Sequence, residues 1–114
     1  MPLTGPIDVH VIEQLATDLD DRDLVRTILD AYVQYFDSRR DALAAAIADK
    51  NLAEVISAAH ALASASVTIG VRAIFAPARA IEEHVRNGDL SEAADLLAVI
   101  DEQAPLVVTA LQAW

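Results

Sequence analysis

The stretch Asn51–Gly70, NLAEVISAAHALASASVTIG, carries the clearest helical pattern of the chain. Asn51 and Glu54 have the spacing of a capping box, which predicts a helix start, and Gly70 predicts the helix end. Between them the core-facing residues recur at spacings of three and four, the period of one helix face. This predicted face comprises Leu52, Val55, Ile56, Ala59, Leu62 and Ser66.

His60 stands apart from that apolar face. On a helical wheel it lies roughly 110° from the centre of the face, at the edge of the expected core. Its flank on the wheel contains Ala53, Ser57, Ser64 and Val67. A long side chain at position 57, 61 or 64 would block a partner, and these positions carry Ser57, Ala61 and Ser64. The wheel leaves two interpretations open, because His60 is either a half-buried boundary residue or a ring that another molecule can reach.

The same periodicity predicts two helices before this stretch. A short one covers Ile7 to about Asp18, and a long one is capped by Asp20 or Asp21 and ends near Asp49. The predicted core face of the long helix is interrupted at its middle by two arginines. That face comprises Leu24, Ile28, Tyr32, Phe36, Leu43 and Ile47, with Arg39 and Arg40 as the interruption.

Two more helices are predicted after Gly70. The fourth runs from about Val71 to Asn87, is ended by Gly88, and is expected to kink at Pro77. The fifth is predicted to start from box-like residues, Asp89 and Glu92, and to reach Trp114 with an interruption at Pro105. Because short connections between long helices make neighbours antiparallel, the pattern predicts an all-α, up-and-down antiparallel four-helix bundle with a short additional N-terminal helix. We expect one domain over residues 1–114.

The composition limits the classes of function. The chain has 114 residues, is 54% hydrophobic and contains no cysteine, which argues against disorder, a disulfide framework and a thiolate metal site. Its formal net charge of −10 disfavours nucleic acid and anionic membranes as partners. The apolar runs are too short to span a bilayer, and the N-terminus has no export signal. We expect a cytoplasmic monomer.

The segment HALASAS, His60–Ser66, resembles the signature of histidine-containing phosphotransfer (HPt) domains. That signature reads His, any residue, Leu, Lys, Gly, small, small, with a further Gly ten residues after the His. The matching residues are His60, Leu62, Ala65, Ser66 and Gly70. The similarity extends from about Ile7 to Leu111 and includes the Ile81–Glu82 pair followed by a Gly-Asp turn.

The resemblance implies that His60 is the phosphoacceptor of a two-component phosphorelay. It would exchange a phosphoryl group with the aspartate of a receiver domain, in a response regulator or a hybrid sensor histidine kinase. Ser57, Ala61 and Ser64 would then belong to the docking face, and further support for the phosphoryl group or for docking is expected from Ala63, Gly70 and Arg79. In this family the receiver brings Mg²⁺, so we expect no cofactor and no metal on this chain, and no enzyme activity with an ATP site of its own.

The sequence departs from the signature at two positions. Ala63 replaces the lysine that helps to hold the phosphoryl group in the family, and Ser64 replaces the glycine that leaves room beside the ring. An arginine of the next helix could supply the missing charge. In a hairpin that turns near Gly70, Arg79 is expected to lie level with His60, whereas Arg86 lies further along. The alternative for Arg79, which the sequence favours slightly, is an exposed residue that pairs with a neighbouring acid, Glu82 or Glu83.

Three other interpretations stay open. The loss of the lysine is compatible with a degenerate bundle that binds receiver or kinase domains without carrying phosphate. A carboxylate-bridged metal bundle is disfavoured, because no Glu has a His three residues later, and HVIE, residues 10–13, reverses that order. The third is a structural bundle that pairs through exposed apolar residues such as Trp114.

Overall fold

The structure, a computed structural model, describes residues 5–114, and the predicted fold class is confirmed within that range. It contains five helices and no strand: α1 (Val9–Leu19), α2 (Arg22–Ala48), α3 (Leu52–Thr68), α4 (Arg72–Arg86) and α5 (Ala93–Ala113). Helices α2 to α5 pack in a ring in chain order, each against both of its neighbours, and α1 lies on α2. None of the five is both long and apolar enough to cross a membrane.

Short polar side chains begin the first three helices. Asp21 accepts the Leu24 N–H at 2.9 Å, and Asn51 accepts the Glu54 N–H at 3.2 Å, as the capping pattern predicts. Helix α1 begins later than predicted because the Asp8 carboxylate accepts a backbone N–H two residues on, at 3.1 Å, and caps the helix there.

The predicted capping box of α5 was wrong. Asp89 accepts both the backbone N–H and the hydroxyl of Ser91, at 2.9 and 2.6 Å, which closes a local turn before the helix. Helix α5 then begins at Ala93 without a side-chain cap. The predicted interruption at Pro105 is also absent, since α5 continues through this proline, which lies on its exposed face.

The core face of α2 differs from the prediction at its N-terminal end. Leu24 is 44% exposed, whereas Val25 and Leu29 are fully buried. The predicted series placed residues four apart from Leu24 to Phe36. Each step of four residues turns about 40° beyond a full helical turn, so three steps rotate the start of the series roughly 120° away from its end. The buried residues of α2 follow one another in steps of four, three, four, seven and three, and therefore stay on one face.

Gly70 forms the tight connection between α3 and α4. Its φ is +73°, and its carbonyl accepts the Asp8 N–H at 2.7 Å. A Cβ at this position would lie 2.8 Å from the Asp8 carbonyl oxygen and 2.8 Å from the Val11 Cβ. The absence of a side chain at Gly70 therefore allows the start of α1 to close over the turn, and this contact fixes one end of the α3–α4 hairpin.

We predict that Gly70→Ala destabilises the chain more than Gly88→Ala does. Both glycines have positive φ, but a Cβ at Gly88 would meet no atom within 4 Å. Gly88→Ala should lower the free energy of unfolding by about 1 kcal/mol, the cost of a left-handed alanine. Gly70→Ala should cost about 1–3 kcal/mol more because a backbone contact must also open. Urea unfolding measures both, and equal losses would contradict the proposed packing.

A buried polar pair links α2 to α3. The Ser66 hydroxyl donates to the Leu62 carbonyl at 2.7 Å, so its oxygen is left to accept the Tyr32 hydroxyl at 2.8 Å. Burial raises the pKa of Tyr32 to about 12, although the hydrogen bond with Ser66 acts in the opposite direction. The pair satisfies two polar groups inside an apolar core and sets how α3, which carries His60, lies along α2.

We predict that Ser66→Ala lowers the free energy of unfolding by about 1–3 kcal/mol, because it leaves a buried Tyr32 hydroxyl without an acceptor. Tyr32→Phe removes the hydroxyl itself. In the double variant the two losses should therefore be less than additive, with a coupling of about 0.5–3 kcal/mol. Chemical denaturation of the four proteins tests this, and strict additivity would show that the two hydroxyls do not interact.

Candidate functional site

His60 projects from α3 with 59% of its side chain exposed, and its ring contacts a carboxylate of α4. Nδ1 lies 3.1 Å from Oε2 and 3.3 Å from Oε1 of Glu82. Only 5% of the Glu82 side chain is exposed. The exposed ring is thus held from beneath by a buried carboxylate.

Glu82 is buried because it continues the apolar face of α4, which includes Ala78, Ile81 and Val85. A buried carboxylate is costly unless it is paired and hydrogen-bonded. Here Arg86, one turn further along α4, donates to Oε2 from Nε at 3.0 Å and from Nη2 at 2.8 Å. The carboxylate is therefore shared between the ring of α3 and a guanidinium of its own helix.

The ionisation of Glu82 decides which nitrogen of His60 carries the proton. Burial raises the pKa of Glu82, but hydrogen bonds from Arg86 and His60 and the attraction of their charges outweigh it, so the net pKa lies below its ordinary value. At neutral pH the carboxylate is ionised and can only accept hydrogen bonds. The ring therefore donates from Nδ1, and in the neutral imidazole the lone pair lies on Nε2.

The Nε2 side of the ring is open and bordered by small side chains. Ser57, Ala61 and Ser64 are all exposed, and the Ser64 hydroxyl lies 3.5 Å from Nε2. No bulky residue stands at these α3 positions, so a large reactant can approach the ring closely. The geometry presents an oriented nucleophilic nitrogen on a surface of low relief.

The sequence matches the Hpt domain family over residues 9–114. The chain belongs to the Hpt domain family. It therefore has a histidine phosphotransfer role in a two-component phosphorelay. Members of this family are phosphotransfer carriers that interact with receiver and kinase domains. No curated protein matches this sequence significantly.

Two solved structures share the fold of this HPt domain. Histidine-containing phosphotransfer protein B (HptB) from Pseudomonas aeruginosa PAO1 superposes with a TM-score of 0.87 at 21% identity, over 96% of this chain and 93% of that one. The HPT domain of the Hpt sensor hybrid histidine kinase from Shewanella gives a TM-score of 0.72 at 16% identity, over 92% and 93% of the two chains. At these identities the similarity concerns the fold alone.

The structure brings only part of the predicted site of the HPt domain together. Arg79 donates from Nε to Glu83 at 3.0 Å, so it has the neighbouring partner that its sequence position also allowed. The residues of α4 that reach the ring are instead Glu82 and, through it, Arg86. Ala63 is only 3% exposed and so offers no docking surface, and Gly70 forms the turn described above.

Glu82 was not predicted as the partner of His60. Its position contained a signal, since a carboxylate among Ala78, Ile81 and Val85 on one helix face must find a buried partner.

Within residues 5–114, no group of three or more His, Cys, Asp or Glu side chains is arranged to hold a metal ion.

We predict that Glu82→Gln lowers the free energy of unfolding of the HPt domain at pH 7, and that the gap between wild type and variant becomes smaller in acid. The pKa of Glu82 is lower in the folded chain than its ordinary value, so the unfolded chain binds the proton more tightly. The ionised Glu82 contributes its full stabilisation at pH values above the ordinary pKa. That stabilisation is lost as the pH falls through the pKa that Glu82 has in the folded chain. Urea unfolding of wild type and variant between pH 7 and pH 3 measures the difference. Glu83→Gln controls for loss of an exposed carboxylate from α4, and a difference that stays constant in acid would contradict the prediction.

Proposed function

We propose that His60 is the phosphoacceptor of this HPt domain and exchanges its phosphoryl group with the aspartate of a receiver domain. The observation that supports this most directly is the contact between His60 Nδ1 and the buried Glu82 carboxylate. It orients the ring, holds the proton on Nδ1 and leaves the Nε2 lone pair facing outward. Positioning and charge are the main demands of phosphoryl transfer, so an oriented nucleophile is a substantial part of the catalyst.

The transfer needs no proton movement on this chain. The Nε2 lone pair forms the N–P bond while the O–P bond of the aspartyl phosphate breaks, and the electron pair of that bond leaves with the aspartate carboxylate. The ring then carries a positive charge, and its proton stays on Nδ1, hydrogen-bonded to Glu82. In the reverse direction the leaving group is a neutral imidazole, so one arrangement serves both uptake and donation.

The docking face centres on the small exposed residues of α3, Ser57, Ala61 and Ser64. We assign the reacting aspartate and Mg²⁺ to the partner, a receiver domain of a response regulator or of a hybrid sensor histidine kinase. This chain supplies the histidine and the side chains that hold it, and acts as a monomeric cytoplasmic carrier without an ATP site. The small side chains suit this division, because the receiver must bring its phosphorylated aspartate to Nε2.

A second candidate is a docking bundle that binds receivers without accepting phosphate. It is favoured by one observation, the buried alanine at position 63, where the family signature has a lysine. The two candidates share the docking face and differ only at Nε2. Phosphoryl transfer and receiver binding must therefore be measured separately.

We predict that wild type takes up label from a ³²P-phosphorylated receiver with Mg²⁺, and that His60→Gln does not. His84→Gln, which removes another exposed histidine, should be labelled like wild type. The label should be acid-labile and base-stable. NMR should place it on Nε2, because Nδ1 is occupied by Glu82.

Binding of the same receivers by calorimetry completes this test. Receivers that bind wild type and His60→Gln equally well but label neither would support the docking bundle and refute the carrier. Label on Nδ1 would refute the role given to Glu82 and leave His60 as the acceptor.

A further inference from the structure

We propose that Arg86 is a further catalytic residue of the phosphotransfer site: its guanidinium neutralises Glu82 beneath the ring and donates a hydrogen bond to the phosphoryl group on His60. This inference rests on the proposed function, because it assumes that His60 takes up phosphate. It adds a residue that the signature motif does not contain and that lies on a different helix from His60.

The first support is the sharing of a single oxygen atom. Oε2 of Glu82 lies 3.1 Å from His60 Nδ1 and 2.8 Å from Arg86 Nη2. A single carboxylate oxygen therefore bridges the guanidinium and the ring. The Arg86 side chain is 56% exposed, and within residues 5–114 its Nη1 makes no hydrogen bond. Nη1 is therefore left as a donor while Nε and Nη2 hold the carboxylate.

The second support is electrostatic. A phosphoryl group adds about −1.5 to −2 charges, and here it would be placed beside an ionised carboxylate on a chain of net charge −10. Without a cation, Glu82 would repel both the incoming phosphoryl group and the product. With Arg86 bound, the carboxylate and the guanidinium cancel, and the group enters a locally neutral site.

The third support is that the other arginines of the described chain are engaged elsewhere and that its lysine lies in a different part of the fold. Four arginines pair with carboxylates other than Glu82, one binds a backbone carbonyl and one stacks near a tyrosine ring. These are Arg22 with Glu13, Arg26 with Asp30, Arg40 with Asp101, Arg79 with Glu83, Arg72 with the Gly5 carbonyl, and Arg39 with Tyr35. Lys50 lies in the turn between α2 and α3. Arg86 is the cation bound to the same Glu82 oxygen that contacts His60.

The test uses phosphoramidate, a small donor that needs no protein partner. The Nε2 lone pair forms the N–P bond while the N–P bond of the donor breaks and ammonia leaves. Uptake is followed by ³¹P NMR on the full chain, for wild type, His60→Gln, Arg86→Ala, Arg86→Lys and Arg79→Ala. Arg79→Ala is the matched control, since Arg79 forms the same type of i, i+4 pair on the same helix. Circular dichroism and urea unfolding verify that each variant folds.

We expect Arg86→Ala to take up phosphate about ten-fold more slowly than wild type, the size of effect given by one lost charge-assisted hydrogen bond. Arg86→Lys should recover part of the rate because it restores charge without the two-pronged geometry. Added guanidinium ions, below denaturing concentrations, should rescue Arg86→Ala, and sodium chloride at equal ionic strength should not. Arg79→Ala should react like wild type.

Two results would overturn the inference while the proposed function stands. One is equal uptake by wild type and Arg86→Ala; the other is a loss in Arg86→Ala that neither guanidinium nor Arg86→Lys restores, which would show a purely structural role. If wild type itself took up no phosphate on His60, the proposed function would fail, and the role of Arg86 with it.

Discussion

The buried carboxylate of Glu82 constrains the site more than any other group. An ionised carboxylate inside a bundle must be paired, and the donors available are the His60 ring of α3 and the Arg86 guanidinium of α4. Satisfying it fixes the distance between the two helices at this level, the orientation of the imidazole and the nitrogen that carries the proton. An exposed histidine on a surface helix would otherwise rotate freely and divide its population between two tautomers.

The position of this carboxylate depends in turn on the α3–α4 hairpin. Gly70 closes the turn, and the start of α1 lies against it through the hydrogen bond between the Asp8 N–H and the Gly70 carbonyl. At the level of Ser66, the buried bond to Tyr32 holds α3 against α2. His60 lies further from the turn than either contact and is placed by both. Residues that never touch the ring therefore determine whether its Nδ1 can meet Glu82.

Periodicity and capping residues predicted the fold because they act locally. The helix starts at Asp21 and Asn51 and the helix end at Gly70 depend on residues within one turn of each other. The placement of His60 at the edge of the core follows from α3 alone. The two errors were also local: a series of steps of four drifted off the core face at Leu24, and Asp89 formed a turn with Ser91 in place of a capping box.

The partner of His60 was missed for a related reason. Counting symmetrically from Gly70 placed Arg79 level with His60, but the axial level of a residue does not say which side of α4 it faces. Glu82 lies on the buried side and Arg79 on the exposed side. From residue type alone, a carboxylate in α4 is expected to face solvent. Only the packing of α3 on α4 shows that its hydrogen-bond partners come from both helices.

The absence of a lysine at position 63 takes on a different meaning in this arrangement. Ala63 packs in the core. The cation at the site is Arg86 of α4, which binds the same carboxylate that holds the ring. A lysine on α3 would carry its charge independently of the acid beneath the ring. Here orientation of the ring and neutralisation of charge both require an ionised Glu82, so the two cannot be lost separately in acid. Arg86 and Glu82 neutralise each other although the chain is strongly acidic, so in the proposed transfer a phosphoryl group approaches Nε2 against the overall field of the protein.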